Sequence, residues 1–220
     1  MKNKILPVLS LFFITSVSAQ SVQYGIAAGI GSYSIKGDAT SNLKQVFDFT
    51  NGIVTAGPVM GYYAGGFAAV PLGNHLSAET GLYYSTKGYA LKGSYTVKGI
   101  DILTADANAK LQSAYIEMPM LLKADFNGLQ IFAGPQLSYL ANASIKTSAG
   151  IAGFNLFHNS VDITNQLNRW DMGVTGGIGY QFTNDIRITA AYDRGLSKVD
   201  AGQKVQSHNE GFRIGMGIKL

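Results

Sequence analysis

Cysteine is absent from all 220 residues. That excludes disulfide staples and thiolate metal centres and leaves stability to backbone ladders and packing. Charge is scarce: Asp, Glu, Lys and Arg make up 14% of the chain. No basic run occurs anywhere, so nothing argues for a nucleic-acid partner. Long apolar runs are missing beyond the first 19 residues, where no stretch approaches the ~20 residues of a spanning helix. A membrane reading is then open only to a closed β-barrel, since lipid does not tolerate unpaired backbone. Metal-ligand spacing is lacking too: His75, His158 and His208 lie far apart, and no metal or cofactor is expected. Gly173–Gly179 superficially resembles a phosphate loop, but it lacks the Gly-Lys-Ser/Thr ending and a following helix.

The first residues read as an address label. Lys2 and Lys4 form a basic start, Ile5 to Val17 is mainly apolar, and Val17-Ser18-Ala19 offers small or branched residues for processing. This predicts a signal peptide over 1–19, cleaved between Ala19 and Gln20, and export of one domain over 20–220. Losing Lys2 and Lys4 lowers the formal charge from +4 to +2, with 15 basic against 13 acidic residues.

What the chain does have is alternation. Over 169–182 the even positions read Trp170, Met172, Val174, Gly176, Ile178, Tyr180 and Phe182, and the odd ones are polar or glycine. A two-residue period with one greasy face and one polar face describes a strand between two solvents. Strands are expected near Val22–Gly31, Met60–Val70, His75–Tyr89, Gln112–Asp125, Leu129–Ala141, Arg169–Phe182, Asp185–Arg194 and Gly211–Leu220. Five of them carry a pair of charges, and each pair agrees in parity. The fifth strand is uncharged, and the second, rich in Tyr and Gly, leaves its facing open.

Tight turns at 71–74, 126–128 and 183–185 alternate with long connections at 32–57, 90–111, 142–168 and 195–210. The expected fold is therefore all-β: an eight-stranded antiparallel up-and-down transmembrane β-barrel with short periplasmic turns and four long extracellular loops. Tyr84, Tyr139, Trp170 and Tyr192 would ring the outer interface, and Phe126, Tyr180 and Phe182 the inner one. The inward set comprises Glu79, Lys87, Glu117, Lys123, Arg169, Asp171, Arg187, Asp193, Arg213 and Lys219. In so narrow a space these groups should pair into a plug of salt bridges rather than line a conducting pore. Apolar residues in the long connections (Phe47, Phe49, Ile151, Phe154, Phe157) are candidate contact points, or else pack on the barrel mouth.

The stretch Tyr115-Ile116-Glu117-Met118-Pro119-Met120-Leu121-Leu122-Lys123 resembles the Tyr-x-Glu-x-Pro-x-x-x-Lys strand of the PorT-like outer-membrane β-barrel family of Bacteroidetes. Ala133-Gly134-Pro135 with Tyr139, and 82–88, resemble neighbouring segments of that family. The resemblance covers about 20–220 and implies a barrel in the cell outer membrane. Arg213 to Leu220 also resembles the C-terminal signal read by the barrel-assembly machinery, carried here by Gly215, Ile218 and Leu220, although Leu220 departs from the usual aromatic end. Pro119 and Pro135 fit poorly in a mid-strand ladder, and strand ends or bulges would accommodate them.

The leading functional expectation is a non-enzymatic barrel held by outer-membrane lipid, its loops meeting an extracellular ligand or envelope protein. A secreted lipocalin-like ligand carrier is the alternative from another class, with the greasy face turned inward. A narrow channel and a lipid-modifying barrel enzyme rank lower. The enzyme would need His158 to activate Ser160, with Asp162 orienting the imidazole.

Overall fold

The computed structural model describes residues 22–37, 53–96, 104–151, 154–182, 185–199 and 207–220. The expected leader at 1–19, with its Ala19–Gln20 cleavage point, and the candidate contacts Phe47 and Phe49 lie outside them.

Among the described residues nine strands follow in order: β1 (Gln23–Gly37), β2 (Ile53–Pro71), β3 (Leu76–Thr96), β4 (Thr104–Phe126), β5 (Leu129–Ile151), β6 (Phe154–Asp162), β7 (Trp170–Gln181), β8 (Ile186–Gly195) and β9 (Ser207–Lys219). Every pairing is antiparallel. Eight strands close into a ring, β1-β2-β3-β4-β5-β7-β8-β9 and back to β1. Closure removes every free edge at membrane depth, which is the condition lipid imposes.

Alternation builds the ring. Leu82, Ile116, Met118, Met172, Ile178 and Ile214 are exposed on its outside, while Glu79, Glu117, Thr175 and Arg213 on the opposite parity are buried inside. The second strand resolves the same way: Tyr62 and Ala64 face out, Tyr63 and Phe67 face in. Aromatics gather at two levels outside. Tyr139 and Trp170 stack edge-on at 5.0 Å, Tyr192 meets Phe212 at 4.7 Å, and Tyr62 meets Tyr84 at 6.2 Å. At the other end Tyr180 meets Phe182 at 5.0 Å, and His75 stacks on Phe126 at 6.1 Å. Such girdles mark both edges of a hydrocarbon slab.

Turn chemistry closes the narrow end. Asn127 and Gly128 both take positive φ (54° and 93°), as the two central residues of a type I′ hairpin turn require. The Asp125 carboxylate accepts from the Gly128 N–H (3.0 Å) and the Gln130 amide (3.0 Å), which pins that turn to the lumen wall.

The strands differ from expectation in length. β2 to β5 run for 19, 21, 23 and 23 residues, about twice the 9–11 that a tilted strand needs to cross. Much of the expected loops 32–57, 90–111 and 142–168 is therefore sheet. β6 is a ninth strand within one of them, folding back on β5 from Ser144↔Asp162 to Ile151↔Phe154. Together β2 to β6 form a wall that stands above one side of the ring. Its inner face is apolar: Tyr115, Leu140, Ala143 and Ile163 form a buried cluster, with Leu111, Ile145 and Leu167 packed against it. A single 3₁₀ turn (Thr164–Gln166) brings Ile163 and Leu167 into this cluster.

Pro119 and Pro135 lie neither at strand ends nor at bulges. Both sit inside long strands, in register with Gln136 and Val174. The β3–β4 and β4–β5 ladders each skip two pairs beside Pro119 without losing register. The Pro119 carbonyl accepts from the Thr80 hydroxyl at 2.9 Å, so a side chain takes up an acceptor where the ladder is interrupted.

Candidate functional site

The lumen is crossed at two levels by ions. In the ring order β3 and β8 stand opposite each other, as do β4 and β9. At the lower level Arg187 on β8 reaches across to Glu79 on β3 with both terminal guanidinium nitrogens, in a fork-to-fork pair. Lys123 on β4 donates to the same carboxylate at 2.9 Å. The Arg187 guanidinium carbon stands 3.8 Å over the centre of the Phe67 ring, a cation–π contact to which arginine is suited.

At the upper level Glu117 on β4 holds Lys87 at 2.6 Å, and Arg213 on β9 lies 3.7 Å from its other oxygen. Arg213 also reaches Asp193 at 3.3 Å and the Thr175 hydroxyl at 3.2 Å. Thr175 donates in turn to Asp193. The Lys87 ammonium stands 5.4 Å from the rings of both Tyr33 and Tyr115. Above it, Asn209 donates to Asp171 (3.0 Å) and to the Tyr115 hydroxyl (3.3 Å).

Eight charged residues are buried among the described ones: Lys87, Lys123, Arg187 and Arg213 against Glu79, Glu117, Asp171 and Asp193. The signs cancel. Between the two levels a cavity of ≈ 40 Å³ remains, lined by Tyr63, Tyr83, Leu121 and Phe132 among others, room for about one water. Below the lower level the lumen opens into a vestibule of ≈ 160 Å³.

Two residues of the expected inward set stand apart from these levels. Arg169 is half-buried at the outer mouth, donating to the Leu140 carbonyl (3.2 Å) and the Asn165 side chain (2.8 Å). Lys219 is half-buried on the rim of the inner vestibule. Both lie at strand ends, where the interior gives way to solvent. The sequence assigns no lumen role to Asn209 or Phe67, and singles out Tyr115 only as the head of the resembling strand. Parity with Glu117 marks Tyr115, and parity with Arg213 marks Asn209.

The residues of the enzyme reading fall on a strand. His158, Ser160 and Asp162 all belong to β6, opposite Ser148, Lys146 and Ser144. Asp162 is engaged by Thr164, whose hydroxyl and N–H donate to it at 2.6 and 2.8 Å. Those bonds hold its carboxyl below the usual aspartate range. Ile151 and Phe154, expected in a loop, are a cross-strand pair where β5 turns into β6. Gly215 packs against the Tyr63 hydroxyl, so a side chain there would collide with the lumen layer. Ile218 and Leu220 of the same segment face outward.

An antiparallel ring of eight strands, apolar outside, ion-paired inside and girdled twice with aromatics, is a transmembrane β-barrel. The chain belongs to the outer membrane protein beta-barrel domain family, whose model matches residues 18–201. That family places it in the outer membrane. Similar solved structures include Neisserial surface protein A (15% identity, TM-score 0.46, 91% of this chain and 100% of that one). Ail, the attachment invasion locus protein of Yersinia pestis, is similar at 12% identity and TM-score 0.39, over 91% and 100%. The outer membrane protease OmpT of Escherichia coli is similar at 9% identity and TM-score 0.34, over 94% and 99%. No curated protein matches the sequence.

Proposed function

We propose that this chain is a non-catalytic outer-membrane barrel that acts through its outward wall, as a binding surface for an external ligand or envelope protein or as a brace for the envelope. One observation carries this reading. The lumen is closed by two ion-pair layers with ≈ 40 Å³ between them, while β2 to β5 continue well past the membrane. A conduit would invest its sequence in the interior; here the extra sequence builds a structure outside.

The soluble-carrier alternative requires an apolar lumen around its ligand. In this ring the ions are inside, and Met172, Ile178 and Ile214 are 62%, 57% and 61% exposed on the outside. The finer kinship is part of the same proposal: the Tyr115–Lys123 strand supports a place among PorT-like barrels of Bacteroidetes. So are the leader at 1–19 and an assembly signal formed by Gly215, Ile218 and Leu220.

In planar bilayers the refolded protein should give no stable conductance steps, and steady channels would overturn the closed-lumen reading. Protease added to intact cells should cut within 90–111 or 142–168 while the ring survives, and a fully protected chain would place the wall on the wrong side. Edman sequencing of the purified protein should begin at Gln20.

A further inference from the structure

Outward-facing cations above the outer girdle come in two arrangements. On the β8–β9–β1 side they are matched. Lys36 lies 3.1 Å from Glu210, Arg194 stands in register with Glu210, and the Tyr192 hydroxyl donates to that carboxylate at 3.1 Å. On the wall they are unmatched. Lys110 on β4 is directly opposite Lys146 on β5 and opposite Ala90 on β3. Lys92 on β3, in register with Asn108, is one diagonal step from Lys110. Lys92 and Lys146 are exposed and Lys110 half-buried. None of the three makes an ion pair among the described residues.

Like charges directly opposite each other weaken a sheet, so this trio does not serve the stability of the wall. Asp162, one diagonal step from Lys146, is engaged by Thr164 and Asn142, and Asp106 stands one diagonal step from Lys92, two same-face positions above Lys110 on β4. Around the lysines the same face carries Gln112, Asn108, Asn142 and Ser144, donors and acceptors suited to hydroxyl-rich partners.

Height decides what anion this face meets. Ile116 is in register with both Tyr84 and Tyr139 of the girdle, and Lys110 lies six residues beyond it. At ~3.3 Å per residue and a tilt near 40°, Lys110 stands about 15 Å above the girdle and Lys92 about 20 Å. The trio continues the lipid-facing parity of Leu82, Tyr84 and Ile116, so it looks sideways over the bilayer rather than up into the medium. We propose that Lys92, Lys110 and Lys146 form a binding site for the phosphate groups on the sugar headgroup of an outer-leaflet glycolipid. Three ammonium groups on a rigid sheet grip such a group as point charges, and the neighbouring amides and hydroxyls take the sugar hydroxyls. This goes beyond the proposed role and rests on it in one respect, that the wall stands on the outer side of the membrane.

The test is binding of purified lipopolysaccharide with a phosphorylated inner core to the full chain in neutral detergent. The triple variant Lys92→Ser/Lys110→Ser/Lys146→Ser should bind at least tenfold more weakly, and raised salt should weaken the parent toward it. Lipopolysaccharide stripped of phosphate should bind the parent no better than it binds the variant. Heat-modifiable gel mobility confirms that each variant is folded, and single Lys110→Gln, expected to lose severalfold, replaces the triple if that fails to fold. Undiminished binding by the folded variant overturns the site. An equal loss in Lys36→Ser overturns its location, and equally tight binding of the soluble, delipidated core overturns the lipid as its source.

Discussion

The ring and the wall are made of the same strands, yet their faces carry opposite chemistry. Below the outer girdle β4 points Leu122, Met120, Met118 and Ile116 outward and Lys123 and Glu117 inward. Above it the outward positions become Gln112, Lys110 and Asn108, while Tyr115, Leu111 and Ala109 turn inward. β3 behaves alike, passing from Leu82 and Tyr84 to Lys92 outside, and from Glu79 and Lys87 to Tyr89 and Leu91 inside. The backbone does not change; the solvent does. Where lipid stops, the outside needs polar groups, and the wall must bury its inner face against its own mouth segment. The comparison makes a sharp claim about energetics: ring residues answer to lipid and ion pairing, wall residues to water and local packing.

Glu79 should give the largest effect, because among the described residues it alone pairs with both Arg187 and Lys123. Glu79→Ala leaves two buried cations without a counter-charge, and removing one partner of a buried pair costs about 3–5 kcal/mol. A lipid-refolding urea titration checks it. A cost below about 1 kcal/mol would mean that water, not carboxylate, already satisfies those cations.

Next comes the lipid face. Ile178→Arg places a charge against hydrocarbon near mid-depth and should cost about 2–4 kcal/mol in the same titration. Gln181→Arg, three residues away but on the lumen parity and half-buried near the inner mouth, should cost less. Equal costs would erase the distinction between the two faces on which the ring depends.

The contrast between ring and wall also explains what the sequence could and could not reveal. The eight ring strands and the facing of Glu79, Glu117, Arg187 and Arg213 were readable because parity and polarity stay locked together over a full crossing. That lock breaks at the girdle. Past Tyr89 and Gln112 the alternation inverts, so a rule keyed to greasy-out, polar-in ends the strand where only the solvent changes. On β5 a register shift follows, with Ala114 opposite Asn142 but Tyr115 opposite Leu140. The extra residue, Ala141, moves Ala143 and Ile145 onto the inner face. No local composition signal announces such a bulge, which is why 142–168 reads as a loop and β6 goes unseen. Cross-lumen partners were equally hidden: parity says that Arg187 points inward, but only ring closure sets it opposite Glu79, 108 residues away in sequence.

Thr164 tests the wall in isolation. Its hydroxyl accepts from the Ala143 N–H at 2.9 Å and gives its one proton to Asp162 (2.6 Å), with the Ala143 carbonyl 3.2 Å away. Thr164→Val keeps the shape and strands a buried backbone donor, a loss of about 1–3 kcal/mol. Hydrogen exchange should show it as faster exchange at 142–148 and 160–167, with the amides of β7 to β9 unchanged. Equal loosening of β8 and β9 would mean that wall and ring unfold as one unit.

The smallest effect is the pH response of the same corner. Thr164 holds the Asp162 carboxyl below its ordinary value, so the folded state favours the ionised form. A depressed carboxyl contributes stability that is fully present above the unfolded value, about 3.9, and drains away as pH falls through the lower folded value. Wall protection at 160–167 should therefore be flat from pH 8 to about pH 5 and decline only at more acid pH. Asp162→Asn should lose that dependence while leaving the ring amides untouched. A decline beginning near pH 6 would instead implicate a histidine, with His158 on the same strand the first to replace.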